Sequence, residues 1–346
     1  MTARRPVRVV VVEDSLVQRA HLVHTLEADA DIAVVGQAVD AAQAVDLVER
    51  LRPDVVTMDL QIPAGGGQHA IEQIMASTPT PILVLSGRVG NPRSAVAVEA
   101  LRAGAVDALA KPDRWTARAE AEVRSVVRSM RGITVIRHPR GGRALRNAGT
   151  TAVATRTGPP GRLVAVAAST GGPAALAVLL SGLQGLAVPV LVVQHIHPDF
   201  VDGLVAWMAR VSAVPVQLAR HGARVENGVV YIAPGGTHLK IDANLRTVLD
   251  PDPPARHRPS ADELFRSVAE HVGPAGLGVV LTGMGDDGTA GLLALRQRGG
   301  LTLGQDEESC AVFGMPRAAQ LAGAVSTLVP IDAMAEVVLA GTGARR

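Results

Sequence analysis

The 346-residue sequence has few aromatic residues, a single cysteine and no long apolar run. Aromatic residues make up 2% of the chain, so we do not expect a stacking platform for single-stranded nucleic acid. With Cys310 as its only cysteine, the chain cannot form an internal disulfide bond, which fits a reducing compartment. No apolar stretch reaches the roughly 18 residues that a membrane-spanning helix needs. We therefore expect a cytoplasmic protein that neither inserts into a membrane nor binds nucleic acid.

The sequence also has little net charge and almost no lysine. Its formal net charge is +2 at pH 7, which gives no reason to expect polyanion binding over the whole surface. Of the 34 basic residues only Lys111 and Lys240 are lysines, and all the others are arginines. A lysine kept in such a chain indicates a position that needs a compact ammonium group instead of a planar guanidinium. Lys111 is therefore a candidate functional residue.

The first 130 residues alternate short apolar runs with amphipathic stretches, such as "VRVVVV" followed by "SLVQRAHLVHTLEA". Five such pairs predict a doubly wound α/β domain with a parallel sheet. The stretch from Arg131 to Arg162 has seven arginines and no acidic residue, which indicates an interdomain linker. Strands and helices then alternate again, which predicts a second α/β domain with a mostly parallel sheet. The predicted boundaries are residues 1–130 for the first domain, 131–161 for the linker and 162–346 for the second domain.

Polar side chains follow four of the predicted strands in the first domain. The first strand ends at Glu13 and Asp14, the third at Asp59, the fourth at Ser86 and the fifth at Lys111. Because the carboxyl ends of parallel strands meet at one edge of a sheet, we expect these side chains to converge. Clustered carboxylates are ligands that suit Mg²⁺. The sequence therefore predicts a magnesium site at this edge.

This arrangement resembles the receiver domain of two-component response regulators, a flavodoxin-like fold, and the resemblance covers the whole first domain. It implies that Asp59 is phosphorylated and that Mg²⁺ is bound beside it. The implied Mg²⁺ ligands are Glu13, Asp14, Asp59 and the backbone carbonyl of Gln61, and the implied phosphoryl-binding residues are Ser86 and Lys111.

Two positions depart from the usual receiver pattern. The chain reads "DLQIPAGGG" where receivers usually carry Met-Pro and then Asp-Gly, so we expect an unusually mobile loop after Asp59. Ala108 stands three residues before Lys111, where receivers tend to carry an aromatic residue that changes rotamer on phosphorylation. The sequence therefore does not predict how phosphorylation would act on the second domain.

In the second domain, Ser169 stands where a predicted strand meets a helix, in "VAVAASTGGPAALAVLL". Such a serine either caps the helix or acts as a nucleophile near free N–H groups at the sheet edge. His195 ends the next predicted strand, and Asp286 and Asp287 follow a later one. A loop hydrogen bond would explain the histidine alone, and a helix cap would explain an aspartate alone. Together, the three strand ends would supply a nucleophile, a base and an orienting acid.

Six segments of this domain resemble the CheB methylesterase family, in the order in which that family has them. They are "ASTGGPAAL", "VVQHIHPDF", "APGGTHLKI", "HRPSADELFRSVA", "LTGMGDDGTAGLLAL" and "DEESCAVFGMPRAA". The resemblance implies that Ser169 is the nucleophile, His195 the base and Asp287 the orienting acid. It also implies that the Met284 backbone N–H contributes to the oxyanion hole and that Thr170 lies beside the site.

The reaction implied by this resemblance is hydrolysis of glutamate γ-methyl esters on the cytoplasmic helices of chemotaxis receptors, which releases methanol. Selected receptor glutamines would be deamidated by the same acyl-serine route, because ester and amide share a tetrahedral intermediate. The family also implies regulation by phosphorylation, with a histidine kinase of the chemotaxis type as phosphodonor. No cofactor is expected in the esterase site, and Mg²⁺ is expected in the receiver domain alone.

Two other functions need to be distinguished from this one. A cysteine hydrolase would use Cys310, but the acidic residues just before it disfavour a thiolate. A non-enzymatic response regulator would bind DNA or protein through its second domain, and the sequence lacks the basic recognition helix that DNA binding would need. Hydrolysis of a methyl ester in the absence of phosphate would distinguish an enzyme from a protein that only binds DNA or another protein.

Overall fold

The computed structural model describes residues 5–87, 90–112, 114–133, 159–252, 255 and 257–343. The chain divides into two compact units, residues 1–143 and 144–346. Most of the predicted linker lies outside the described residues, which resume at residue 159. In the part of the chain that the structure describes, no helix has the length and apolar character needed to cross a membrane.

The first unit contains a five-stranded parallel sheet with the strand order β2-β1-β3-β4-β5. The strands are β1 (Val7–Val12), β2 (Ile32–Ala38), β3 (Val55–Met58), β4 (Ile82–Gly87) and β5 (Asp107–Lys111). The helices are α1 (Leu16–Glu27), α2 (Ala41–Leu51), α3 (Gly66–Ser77), α4 (Gly90–Ala103) and α5 (Ala117–Ser129). Helix α1 packs against α5, while α2 contacts α3 and α3 contacts α4. This is the doubly wound α/β fold that the sequence predicts.

The local sequence explains the elements of the first unit. Strand β1 is a valine run in which Val9, Val10, Val11 and Val12 are at most 1% exposed, as expected for a central parallel strand covered on both faces. Ser15, Asp40 and Thr116 precede α1, α2 and α5. Each of these three side chains accepts a hydrogen bond from the backbone N–H three residues further on and so caps its helix.

The second unit contains a seven-stranded sheet in which all neighbouring strands are parallel, with the order β14-β13-β12-β6-β7-β9-β8. Its strands are β6 (Leu163–Ala168), β7 (Val190–Gln194), β8 (Val216–Leu218), β9 (Val230–Ile232), β12 (Gly276–Val280), β13 (Leu301–Gln305) and β14 (Thr327–Val329). A separate antiparallel hairpin consists of β10 (His238–Ile241) and β11 (Thr247–Asp250). The helices are α6 (Gly172–Ser181), α7 (Val201–Val211), α8 (Ala261–His271), α9 (Thr289–Gln297), α10 (Met315–Leu321) and α11 (Ile331–Gly341).

The strand order of the second unit fixes the position of a crevice. From β6 the chain passes through α6 to β7 on one side, and it returns to the other side of β6 with β12. Connections that leave a strand in opposite directions open a crevice at the carboxyl ends of the strands. The segments that follow β12, β6 and β7 therefore meet at this edge, and the three candidate residues Ser169, His195 and Asp287 lie in those segments.

Candidate functional sites

Ser169 lies in the turn between β6 and α6. Its backbone N–H donates a hydrogen bond to the carbonyl of Thr282 (3.0 Å), and its own carbonyl accepts one from Gly172 N–H (2.7 Å). Gly171, in the left-handed region with φ 75°, is the N-cap residue of α6, and no side chain caps this helix. The helix-cap explanation of Ser169 is therefore wrong, since the serine stands two residues before the cap.

His195 follows β7 and contacts the carboxylate of Asp287. Its Nε2 lies 2.8 Å from Asp287 Oδ2, and its side chain is only 8% exposed. A carboxylate can only accept, so Nε2 carries the proton and Nδ1 of the neutral ring is an acceptor. Nδ1 is buried and has no hydrogen-bond partner among the described residues. The ring therefore has one nitrogen bound to the acid and the other available as a base.

The carboxylate of Asp287 lies at the amino terminus of α8. Its Oδ1 accepts from Ser260 Oγ (2.8 Å) and Asp262 N–H (3.1 Å), and its Oδ2 accepts from Ala261 N–H (2.8 Å). Burial alone would raise the pKa of Asp287. The hydrogen bond and charge of His195 and the α8 backbone N–H groups outweigh burial and hold this pKa well below its usual range. Asp287 is therefore a fixed anion beside the histidine ring.

Two histidines adjoin this cluster although the sequence assigned them no role. His257 stacks on His195, with ring centroids 4.3 Å apart and planes inclined by 12°. His238 is fully buried, and its Nδ1 accepts from the backbone N–H of Ser260 (3.1 Å), whose hydroxyl donates to Asp287. Both histidines stand in segments that resemble the CheB family, and that position is the signal that could have identified them.

Gly283 brings the end of β12 against the candidate nucleophile. A Cβ built on Gly283 would lie 2.7 Å from Ser169 Cβ, so only glycine permits this approach. Met284, the next residue, is half-buried. Thr170 is buried, and its carbonyl accepts a hydrogen bond from Thr282 Oγ1 (3.0 Å). Met284 therefore follows Gly283, and Thr170 follows Ser169, at the place where these two segments make their close contact.

The structure argues against two rival residues. Asp286 is exposed, and Asp287 is the member of the pair that contacts His195. Burial and the charge of Asp306 raise the pKa of the Cys310 thiol to about 12, so the thiolate is scarce at neutral pH. Cys310 lacks the environment of a nucleophile.

The acidic pocket of the first unit lies at the carboxyl edge of its sheet. Lys111 Nζ donates to Glu13 Oε2 (2.6 Å) and to Asp59 Oδ2 (2.7 Å). Oxygens from Glu13, Asp14 and Asp59 lie within 4.8 Å of one another. Burial and the charge of Asp59 raise the pKa of Glu13, while Lys111 opposes this shift. This set of hard oxygen donors fits a Mg²⁺ ion.

Of the two remaining predicted residues, Gln61 lines the same pocket, and its backbone N–H donates to Asp59 Oδ1 (3.1 Å). Ser86 is buried and pairs in the sheet with Ala110, the residue before Lys111. Trp115 also lines the pocket, although the sequence drew no attention to it.

The two units together define a class of protein, namely a response regulator that carries a hydrolase as its output domain. Residues 9–119 match the family model of the response regulator receiver domain, and residues 164–338 match that of the CheB methylesterase. The chain belongs to the CheB methylesterase family and is an enzyme.

Similar proteins match nearly the whole chain. A protein-glutamate methylesterase/protein-glutamine glutaminase of Anaeromyxobacter dehalogenans is 44% identical over 331 residues, 95% of each chain. A protein of the same description from Paramagnetospirillum magneticum is 41% identical over 353 residues, covering 99% of this chain and 98% of its own. The crystal structure of the Thermotoga maritima CheB methylesterase catalytic domain superposes with a TM-score of 0.51 at 34% identity. That match covers 52% of this chain and 98% of the Thermotoga chain.

Proposed function

We propose that the chain hydrolyses γ-methyl esters of glutamates on the cytoplasmic helices of chemotaxis receptors, releases methanol, and deamidates selected receptor glutamines. We also propose that phosphorylation of Asp59 by a histidine kinase of the chemotaxis type regulates this activity. The relatives described above bear both activities in their names. The observation that carries the proposal is the Asp287 carboxylate at 2.8 Å from His195 Nε2. The opposite ring nitrogen has no hydrogen-bond partner among the described residues, and the His195 backbone N–H bonds to Ala168, the residue before Ser169.

In the proposed reaction, Ser169 Oγ attacks the ester carbonyl carbon while His195 Nδ1 takes the hydroxyl proton. Asp287 stabilises the imidazolium that forms, because the hydrogen bonds from His195 and from the α8 backbone outweigh burial and keep its carboxylate ionised. The Met284 backbone N–H would stabilise the oxyanion of the tetrahedral intermediate. Collapse breaks the ester bond, and the imidazolium returns its proton to the departing methoxide to form methanol. Water then cleaves the acyl-serine by the same steps, which leaves a glutamate and regenerates Ser169.

In the first unit, we propose that Asp59 accepts the phosphoryl group. Glu13, Asp14, Asp59 and the Gln61 carbonyl would hold Mg²⁺, which neutralises negative charge at the phosphoryl oxygens when bound. Lys111 now contacts the Asp59 carboxylate directly. A phosphoryl group there adds charge that Lys111 and Ser86 must rearrange to bind, and this rearrangement would alter the surface of the unit.

Methanol release from methylated receptor membranes tests the whole proposal. We expect the intact chain to release methanol, and a small-molecule phosphodonor with Mg²⁺ to raise the rate about tenfold, which corresponds to ~1.4 kcal/mol. Asp59→Ala should keep basal release and lose the stimulation. Absence of methanol release would contradict the esterase, and equal stimulation of Asp59→Ala would contradict the assigned phosphorylation site.

Lys111→Arg should impair this stimulation. The ammonium contacts two carboxylates at 2.6 and 2.7 Å, and a planar guanidinium cannot occupy the same compact position. The measurement is the ratio of methanol release with and without phosphodonor. Arg50→Lys makes the reverse exchange at an exposed position of α2 and serves as the matched control. Full stimulation of Lys111→Arg would show that charge alone suffices at this position.

Mg²⁺ binding should change the fluorescence of Trp115. The chain has two tryptophans, and Trp207 is buried in the second unit, so Trp207→Phe leaves Trp115 as the sole reporter. Trp115 lines the pocket that contains Glu13 and Asp14. We expect a saturable change on titration with Mg²⁺ that Asp14→Asn weakens at least tenfold. An unchanged titration in Asp14→Asn would remove that residue from the ligand set.

A further inference from the structure

Gln194, the last residue of β7, connects the backbones of Ser169 and His195. Its side chain is buried, with 4% of the residue exposed. Its Nε2 donates one hydrogen bond to the carbonyl of Ser169 (2.9 Å) and another to the carbonyl of His195 (2.9 Å). A single amide group therefore joins the residue that carries the proposed nucleophile to the residue that carries the proposed base.

The two carbonyl partners fix the orientation of this amide. Carbonyl oxygens only accept, so the NH₂ group must face them, and both of its protons are used. Oε1 then points away, is buried, and has no hydrogen-bond partner within the described parts of the chain. Gly172 makes room for it, since a Cβ at that position would lie 2.1 Å from Oε1.

An unpartnered buried acceptor is unfavourable, so packing alone does not account for a glutamine at this position. An apolar side chain of similar length would fill the space without leaving an oxygen unsatisfied. What an apolar side chain could not supply is the pair of donated hydrogen bonds. Both bonds end on the backbone of proposed catalytic residues. We therefore infer that these two bonds are the reason for a glutamine at this position, despite the unfavourable burial of its Oε1.

The place of Gln194 in the sheet shows what that role is. The ladder between β6 and β7 pairs Ala168 with Gln194, and its final bond runs from His195 N–H to the Ala168 carbonyl (2.9 Å). Beyond this point the segments that follow β6 and β7 enter separate turns. The Gln194 side chain links the first residue of one turn to the first residue of the other, just where the ladder ends.

We propose that Gln194 is a positioning residue that fixes the backbones of Ser169 and His195 relative to each other, so that their side chains can come within reach for proton transfer. This inference rests on the proposed roles of those two residues. Proton transfer requires Ser169 Oγ and His195 Nδ1 within hydrogen-bond reach, and a displacement of about 1 Å can lower a rate about 100-fold. Gln194 acts through the two backbones and does not itself contact the reacting atoms.

Gln194→Met tests the proposal in the full-length protein, because methionine keeps the length of the side chain and removes both donors. With methylated receptor membranes as substrate, we expect kcat to fall by about 10- to 100-fold while KM stays within about twofold. Thr302→Val is the matched control, since it removes a fully buried hydroxyl that bonds to Ser326 (2.9 Å) two strands away from β6. The control should unfold at a lower urea concentration than the parent protein and keep its kcat.

A second variant guards against misfolding of Gln194→Met. Gly172→Ala keeps the glutamine but places a Cβ against Oε1, which forces the amide to move. We expect the same loss of kcat with little change in KM. A kcat within threefold of the parent in either folded variant would overturn the positioning role. Ser169→Ala, measured in parallel, separates this failure from failure of the proposed function, since only the latter would leave Ser169→Ala active.

Discussion

Ser169→Ala is expected to lower methyl-ester hydrolysis by roughly three to six orders of magnitude. Without the hydroxyl no acyl-enzyme can form, and the remaining groups can only polarise the ester for direct attack by water. The substitution removes one side-chain oxygen from a half-buried residue whose backbone hydrogen bonds to Thr282 and Gly172 do not involve the side chain. We therefore expect the fold to be unaffected. The measurement is methanol release from methylated receptor membranes, with the urea midpoint recorded for each variant.

Cys310→Ala is the control for this prediction. With a thiol pKa of about 12, Cys310 is a poor nucleophile at neutral pH, and its replacement should change the rate by less than threefold. The opposite pattern, an active Ser169→Ala and an inactive Cys310→Ala, would identify a cysteine hydrolase and reverse the assignment.

The sequence located the functional residues best where charged side chains stand directly at the ends of predicted strands. The acidic pocket could be located from Glu13, Asp59 and Lys111 because parallel strands bring their carboxyl ends to a single edge. The scarcity of lysine was also informative. Lys111 contacts two carboxylates, and Lys240, the other lysine, contacts both Asp250 (2.9 Å) and Glu263 (3.0 Å).

The sequence was less informative about short elements. Strand β14 has only three residues, too few to show any periodicity, and β11 follows β10 after a short turn. Helix α11 is a different case, since Ile331, Met334, Ala335 and Val338 follow the spacing of a buried helix face. That helix could have been predicted. The first domain offered no comparable difficulty because each of its strands is bounded by a long amphipathic helix.

Which nitrogen of His195 faces the acid could not be predicted from the sequence. Imidazole presents two nitrogens, and the choice depends on the direction from which Asp287 approaches. That direction is set by the start of α8, where the preceding residue Ser260 and then Ala261 and Asp262 all donate to the carboxylate. The anion that the start of this helix binds lies about 25 residues further along the chain, as the Asp262 contact shows. Contacts between distant segments of this kind leave no periodic signal.

Asp287→Asn is expected to lower the esterase rate by roughly three to four orders of magnitude, because a triad without its carboxylate no longer holds the imidazole in the correct tautomer. The carboxylate accepts from four donors, namely His195 Nε2, Ser260 Oγ and the N–H groups of Ala261 and Asp262. Asparagine offers one acceptor oxygen and one NH₂ group, and its NH₂ opposes a backbone N–H at either position, that of Asp262 at Oδ1 or that of Ala261 at Oδ2. At Oδ2 it also faces His195 Nε2, so it moves the imidazole proton to Nδ1 and removes the base.

Asp286→Asn provides the matched comparison for Asp287→Asn, because it makes the same chemical change one residue earlier at an exposed position. We expect its rate to stay within about threefold of the parent, a difference of ~0.7 kcal/mol at most. The measurement is again methanol release, with receptor concentration varied so that kcat and KM are separated. The loss in Asp287→Asn should appear in kcat, since the residue is bound to His195 and α8 and acts on the proton transfer. Equal and modest effects of the two substitutions would exclude Asp287 as the orienting acid and leave its anion at α8 with a purely structural role.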